Sequence, residues 1–364
     1  MKKALMVVPR ASARYLDEAL SLAETAGYSV VGVRKSRYER RLGRGLVKSL
    51  SDEARSLSVD TIIFYGDLQP SSAFLLTKES GVRVIDRVML ILEIFAKHAG
   101  SREALLQIEM ARIKHEIPLV REAIRRSKMG EYPGFMGPGR YAIDSYYRHL
   151  TSRLSRIRRE LEKLRMHRES RLKKRIHEGF LHVALVGYAS AGKTSLFNAL
   201  TGESRPVGDE YFTTLHPKHK AIKLGNGKQA LIADTVGFIR DVPPEIIEAF
   251  HATLSDIRYS DVIVFILDVS EPAGSVREKL EAGLDILSRI EALGIPMIIA
   301  ANKIDLLEWG ELGDRLRLVQ ELSLDAPYIH GVIPVSAKKR VGLDRLVREI
   351  GRIAAESAPG KLVW

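Results

Sequence analysis

Over residues 1–90, short apolar runs alternate with stretches of helical spacing. Ala4–Val8, Ser29–Val33, Thr61–Tyr65 and Arg83–Ile85 read as strands, and Ala13–Ala26, Gly45–Leu57 and Ser71–Glu79 as the helices between them. Such alternation predicts a small parallel α/β subdomain with helical crossovers. No Gly-rich loop follows any of these strands, so no second nucleotide site is assigned here.

The pattern changes over 91–177. Ile91–Lys97 continues a helix, and Ser101 is placed to cap the next one. Leu106, Met110, Ile113, Ile117, Val120 and Ile124 then recur at alternating steps of four and three. Ile143, Tyr147, Leu150, Leu154, Ile157, Leu161 and Leu164 repeat that alternation. This is the period of a coiled-coil seam, and two such stripes predict an antiparallel helical hairpin whose arms hide each other's seam. Pro118 removes a backbone donor within the first arm and predicts a kink there. The break over 128–140, from Lys128 to Arg140, is rich in Gly and Pro and forms the hairpin loop. Its Tyr132, Phe135 and Met136 either fold back to cap the hairpin end or offer a contact surface to RNA or protein.

The motifs of the third segment, 178–352, predict a C-terminal Ras-like P-loop G domain, with 353–364 left as a tail. The apolar strand Phe180–Val186 runs into Gly187, Tyr188, Ala189, Ser190, Ala191, Gly192, Lys193 and Thr194, and Ser195 opens a helical pattern behind them. Strand, Gly-rich loop and helix in that order are the phosphate cradle of a P-loop protein. Backbone N–H groups and the helix N-terminus would hold the phosphates, Lys193 would bridge the β- and γ-phosphates, and the Thr194 hydroxyl would ligate Mg²⁺.

A P-loop specifies a nucleoside triphosphate, and the base is read further along. The strand Ile295–Ala301 leads into Asn302, Lys303 and Asp305. A carboxylate at Asp305 can accept from the guanine N1–H and N2 amino group, neither of which adenine offers. Asn302 would tie this loop to the P-loop, and Lys303 would lie along the base plane. Ser336, Ala337 and Lys338 follow another apolar run, and the Ala337 N–H can face guanine O6. Between these motifs, Lys220–Leu224 and Gln229–Ala233 flank Gly225-Asn226-Gly227 as a β-hairpin. Asp234, Thr235, Val236 and Gly237 come next, with Asp234 holding Mg²⁺ through water and the Gly237 N–H sensing the γ-phosphate. Upstream, Phe212, Thr213 and Thr214 supply the hydroxyl that completes Mg²⁺ coordination, from Thr214 or alternatively Thr213. Lys193, Thr214 and Gly237 are therefore the candidate catalytic residues, and Thr194, Thr214 and Asp234 the candidate metal ligands. Phe238 stands where Ras-like proteins commonly carry a water-orienting Gln. Slow intrinsic hydrolysis, accelerated by a partner, is the expectation.

Charge adds a partner to this picture. The chain has 57 Lys+Arg against 45 Asp+Glu, a net charge of +12. The densest part follows the hairpin loop: Arg148, Arg153, Arg156, Arg158, Arg159, Lys163, Arg165, Arg168, Arg171, Lys173, Lys174 and Arg175 face only Glu160, Glu162 and Glu169. Sign mixing for i,i+4 support occurs only around Glu160–Lys163. A basic helix of this kind grips phosphates without reading sequence, and its binding is salt-sensitive; a solvated face is the alternative. With no Cys and no bilayer-length apolar run, disulfides, thiolate metal sites and a spanning helix are excluded, and a cytoplasmic monomer is expected.

The motif Gly187–Thr194 with Leu196–Thr201 behind it, Phe212–Leu215, Asp234–Arg240 and Asn302–Asp305 resemble those of the HflX GTPases of the Obg–HflX superfamily. Asp86-Arg87, Ile91–Phe95 and Gly137-Pro-Gly139 extend the resemblance over most of the chain. It implies an α/β subdomain plus coiled-coil hairpin ahead of the G domain, and binding to the large ribosomal subunit. It also implies contact of the loop 128–140 and the helix 141–177 with ribosomal RNA, and hydrolysis of GTP to GDP stimulated by the ribosome. Some relatives split or rescue stalled ribosomes. Two positions depart from the pattern. Ser190 replaces an Asn linked to potassium-dependent catalysis, and Arg140 replaces a Glu after Gly-Pro-Gly. Competing with a ribosome-associated factor are a signalling GTPase whose hairpin docks a protein, and an ATP-driven RNA remodeller, which Asp305 opposes.

Overall fold

The computed structural model describes residues 1–128, 139–177, 180–203, 218–224, 228–239, 246 and 257–356. Residues up to 166 fall in one compact unit, and 180–239 with 257–356 in a second.

The first unit is built on a four-stranded parallel sheet of order β2-β1-β3-β4, formed by β1 (Lys2–Pro9), β2 (Tyr28–Ser36), β3 (Thr61–Phe64) and β4 (Arg83–Asp86). Ala4–Val8 and Thr61–Phe64 are buried throughout, as strands covered on both faces must be. Crossovers are made by α1 (Leu16–Thr25, after a 3₁₀ turn at Arg10–Tyr15), α2 (Arg44–Ser56) and α3 (Pro70–Ser80); α4 (Arg87–His98) follows β4. Val47, Leu50 and Ala54 of α2 and Leu76 of α3 close one core with Leu5, Val7, Ile62 and Phe64.

The hairpin consists of α5 (Arg102–Lys128) and α6 (Gly139–His177). Ser101 Oγ accepts from Ala104 N–H at 3.1 Å and so starts α5, which runs unbroken through Pro118. Leu106, Met110, Ile113 and Val120 interlock with Leu150, Leu154 and Ile157, and Ile117, Ile124, Ile143, Tyr147, Leu161 and Leu164 pack against them. The opposite side of α5 packs on α3 and α4. Asp86 sets that contact: its Oδ1 caps α4 by accepting from Met89 N–H at 3.0 Å, and its Oδ2 lies 2.8 Å from His115 Nε2 of α5. Nearer the hairpin loop, Arg126 stacks on the Phe74 ring of α3, 5.4 Å from its centroid. α5 is thus shared, closing the sheet's helical layer with one side and the coiled coil with the other.

The neighbouring Arg87 is held just as firmly. It lies over the Tyr65 ring at 5.3 Å and pairs with Glu18 at 3.4 Å, and Glu18 also accepts from the Tyr65 hydroxyl at 2.8 Å.

Two charges on the hairpin are placed otherwise than the chain pattern implied. Arg153, counted with the phosphate-gripping residues, makes a bidentate pair with Glu109 across the seam at 2.6 and 2.7 Å. Glu160, expected to pair along its own helix near Lys163, instead accepts from Arg102 Nε at 2.5 Å. Cross-seam partners win because the long side chains flanking an antiparallel seam reach the facing helix. Arg148, Arg156, Arg158, Arg159 and Lys163 are exposed. Loop residues Tyr132, Phe135 and Met136 lie outside the described residues, as do the side chains of Arg140, Arg165, Arg168, Arg171, Lys173, Lys174 and Arg175.

The second unit has a six-stranded sheet of order β10-β9-β8-β5-β7-β6. Its strands are β5 (Leu181–Gly187), β6 (Lys218–Lys223), β7 (Gln229–Asp234), β8 (Val262–Asp268), β9 (Met297–Asn302) and β10 (Ile329–Pro334). Among the described strands only the edge strand β6 is antiparallel, paired with β7; Gly225-Asn226-Gly227, predicted to turn between them, lies outside the described residues. Its α-helices among the described residues include α7 (Lys193–Thr201), α8 (Ala273–Arg289), α9 (Trp309–Ser323) and α10 (Leu343–Glu356). Among the described residues no helix is long and apolar enough to cross a membrane.

Ile157 is 1% exposed at the centre of the hairpin seam. Replacing Ile157 with Ala should cost about 2–5 kcal/mol, read as a lower denaturation midpoint by far-UV circular dichroism and faster amide exchange in α5 and α6. Unchanged exchange in both helices would show that the seam does not hold the hairpin.

Candidate nucleotide site

The parallel strands of the second sheet all end at one edge, where Gly187, Asp234, Asp268, Asn302 and Pro334 stand side by side. Carboxyl ends of parallel strands are where α/β folds bind ligands. The sequence-predicted residues that are described converge there.

Two glycines of the P-loop are demanded by their neighbours. Gly187 has φ 149°, and a Cβ would collide with the Ile266 carbonyl of β8. Gly192 has φ 94°, and a Cβ would strike the Asn302 amide nitrogen. Ser190 also lies in the left-handed region, at φ 60°, and is exposed. Ala191 is buried within the loop, while Thr194 and Ser195 open α7.

Lys193 is buried, and its Nζ donates to the Tyr188 carbonyl at 2.7 Å. Burial pushes its ammonium down to about 8, against the opposing pull of the Asp234 carboxylate. Thr194 Oγ1 donates to Asp234 Oδ2 at 3.1 Å, so the two described candidate metal ligands are in contact. A Cβ on Gly237 would come 2.9 Å from Lys193 Nζ and 3.2 Å from Ala189 Cα, so a side chain there would displace the lysine tip and crowd the P-loop backbone.

Between Asp234 and Gly237 the motif turns inward. Thr235 Oγ1 donates to the Leu185 carbonyl at 2.7 Å and Val236 is buried, so these two side chains serve the core. Phe238 then forms an isolated bridge with Tyr188: its N–H donates to Gly187 O, and its carbonyl accepts from Ala189 N–H, each at 2.9 Å. The ring is buried against Phe265 at a centroid distance of 6.4 Å.

On the base side, buried Asn302 donates from Nδ2 to Ala191 O at 2.9 Å and accepts at Oδ1 from Ala337 N–H at 3.0 Å. The amide expected to face guanine O6 therefore already has a partner, and a base at that position must share or displace this bond. Asp305 is exposed, and its Oδ1 accepts from the buried Ser336 hydroxyl at 2.6 Å. Lys338 is exposed. Phe212, Thr213 and Thr214 lie outside the described residues.

Motif reading missed three supports of this arrangement. Arg340 donates to the Ala199 carbonyl at 2.8 Å, tying the Ser336–Val341 turn to α7. Lys279 of α8 lies 5.7 Å from the centroid of the Tyr188 ring and pairs with Glu271. Asp268 pairs with Lys303. The available signal was a single polar residue ending the apolar run Val262–Leu267, the position Asn302 holds in the adjacent strand.

Three family models match the chain. They describe a 50S ribosome-binding GTPase over residues 182–303, a GTP-binding GTPase middle region over 98–175 and a GTP-binding GTPase N-terminal region over 13–96. Among curated proteins, the GTPase HflX of Hyperthermus butylicus is 51% identical over 362 residues, covering 97% of this chain and 96% of that one. The GTPase HflX of Saccharolobus solfataricus is 37% identical over 360 residues, covering 98% and 99%. That of Escherichia coli is 33% identical over 299 residues, covering 80% and 70%. Among solved structures, a GTP-binding protein from Sulfolobus solfataricus in complex with GDP is similar, with a TM-score of 0.54 and 31% identity over 98% of this chain and 99% of that one.

Two predictions follow from the buried polar groups. Asn302→Ala removes both ties between loops and should cost about 3 kcal/mol of binding, a hundredfold or more in GDP affinity measured by calorimetry. Loss of less than about threefold would remove Asn302 from its bridging role. The second concerns protons. The unfolded chain holds the Lys193 proton up to 10.5 and the folded chain only to about 8, so stability of the nucleotide-free protein rises with pH across that window, by up to about 3 kcal/mol. Phosphates beside Lys193 would favour its charged form, so GDP binding at about pH 8.5, between the folded and unfolded values, should take up part of a proton. Calorimetry in two buffers of different ionisation enthalpy reads this uptake; a buffer-independent binding heat, or uptake retained in Lys193→Met, would refute it.

Proposed function

The chain belongs to the HflX family of GTPases, and on that premise we propose that it hydrolyses GTP as a factor bound to the large ribosomal subunit in the cytoplasm. One observation carries the ribosomal part. Along α6, Arg148, Arg156, Arg158, Arg159 and Lys163 are exposed, whereas Arg153 is consumed by Glu109 across the seam. A row of exposed cations on one helix suits a phosphate backbone. The description of the matched family model, a 50S ribosome-binding GTPase, supports the same partner.

In the nucleotide site, Lys193 is the cation for the β- and γ-phosphates, Asp305 reads the guanine edge, and Asn302 holds the two loops in register. Thr194 and Asp234 offer a hydroxyl and a carboxylate in contact at 3.1 Å, hard oxygens suited to Mg²⁺, which Thr194 would ligate directly and Asp234 would hold through water. Thr214 or Thr213 would add the hydroxyl dependent on the γ-phosphate. When bound, Mg²⁺ supplies positive charge to the phosphate oxygens. Gly237 lies against Lys193 and Ala189, and its backbone N–H would sense the γ-phosphate. Phe238 has no group to orient water and packs on Phe265. The reacting water therefore takes its order from elsewhere, and the large subunit is the proposed source.

Co-sedimentation tests the reading. The protein should pellet with large subunits in the presence of a non-hydrolysable GTP analogue more than with GDP, and binding should fall steeply from 50 to 200 mM salt, by about 10³ or more if six phosphates are contacted. Turnover should be slow alone and rise on adding subunits. Salt-indifferent binding would favour a protein-docking hairpin, and turnover of many per second by the isolated protein would remove the need for a partner.

A further inference from the structure

The turn that leaves β8, residues 268–271, carries no nucleotide motif, yet it supports the base side of the site. Asp268 has a side chain only 6% exposed. Its Oδ2 lies 2.6 Å from Lys303 Nζ, and its Oδ1 accepts from Ser270 N–H at 3.0 Å and Ser270 Oγ–H at 2.6 Å. In the sheet register Asp268 is the direct neighbour of Asn302. Lys303 itself sits at φ 66°, a conformation costly for a side chain with a Cβ, and is 32% exposed. A lysine stem left alone samples many rotamers, and a ligand that needs it straight must first select one. Here a mostly buried carboxylate, itself steadied by Ser270, holds the ammonium at one point and so fixes the stem between that point and the backbone.

We propose that Asp268 is a positioning residue for the nucleotide base: it holds the Lys303 stem as a preformed platform for the purine ring. The inference rests on the assignment of guanine to Lys303 and Asp305 given above. A platform touches the face of the ring, whereas Asp305 reads its edge. Loss of Asp268 must therefore weaken nucleotides with different exocyclic groups by one common factor, and loss of Asp305 must change their ratio.

The test is a double-mutant cycle on the full chain, with dissociation constants for GDP and IDP measured by calorimetry for the wild type, Asp268→Asn, Lys303→Met and the double variant. Asp268→Asn keeps the shape and can still accept from Ser270; Lys303→Met keeps the stem on a side chain that is one-third exposed, so it does not threaten folding. Each single variant should weaken GDP and IDP equally, by about tenfold, and the double variant by little more than either. Wild-type affinity in either single variant, losses that multiply toward about a hundredfold, or a shifted GDP/IDP ratio would overturn the proposal. Lowered thermal stability with unchanged affinity would also overturn it, by making the pair merely structural. An Asp305→Asn variant separates the two levels. If it leaves the preference for guanine over xanthine intact, the base assignment fails. If it reverses that preference while the cycle multiplies, only the role of Asp268 fails.

Discussion

The Asn302 amide is buried where three loops converge, giving a hydrogen to Ala191 and taking one from Ala337. Each bond closes a gap between segments far apart in sequence, and each satisfies a polar backbone group that burial would otherwise leave unpaired. The constraint spreads outward. Gly192 has no side chain because the amide occupies that space. One side chain thus spans the gap between the Gly187–Thr194 loop and the Ser336–Val341 turn. Parallel register then lines up Asp268 beside Asn302, so that successive strand ends offer a carboxylate and an amide. A larger or apolar residue at 302 would leave Ala191 O and Ala337 N–H buried without these partners, and the two halves of the site would part.

The end of β7 is constrained in a similar way. Gly237 lies against Lys193 Nζ, and Phe238 extends the contact by bridging Tyr188. The P-loop is thus held from β9 on one side and from the end of β7 on the other. In between sits a lysine whose charge is poorly solvated until phosphate arrives. Its Nζ has the Tyr188 carbonyl and the Asp234 carboxylate for company, and an added anion would favour the charged form further.

Much of this architecture was legible in the chain. The hairpin seam was readable because burial between two helices imposes a period, and all thirteen stripe positions from Leu106 to Leu164 meet in one apolar cluster. The parallel strands were readable because two covered faces require unbroken apolar runs, as in β1 and β8. Pairings chosen by three-dimensional proximity alone were not. Arg153 finds Glu109, forty-four positions away, and Asp268 finds Lys303; neither spacing follows from a helix or strand period. Nor does a motif reveal that the Ala337 amide is engaged by Asn302, or that the Thr235 hydroxyl faces the core. Motifs specify which groups a ligand needs, whereas the partners that hold those groups depend on side-chain geometry.

The sharing of α5 between the sheet layer and the coiled coil has a consequence for how this chain can change over generations. Leu106, Met110 and Ile113 face α6, while His115 and Arg126 reach Asp86 and Phe74 on the other side. Adding or deleting one residue in α5 rotates everything beyond it by about 100°, moving seam residues off the seam and His115 away from Asp86 together. A helix buried on one side can absorb such a slip by shifting its partner. α5 has two partners that would need to shift in different directions, so its length is frozen, and variation in the reach of the hairpin must arise in its loop and in α6.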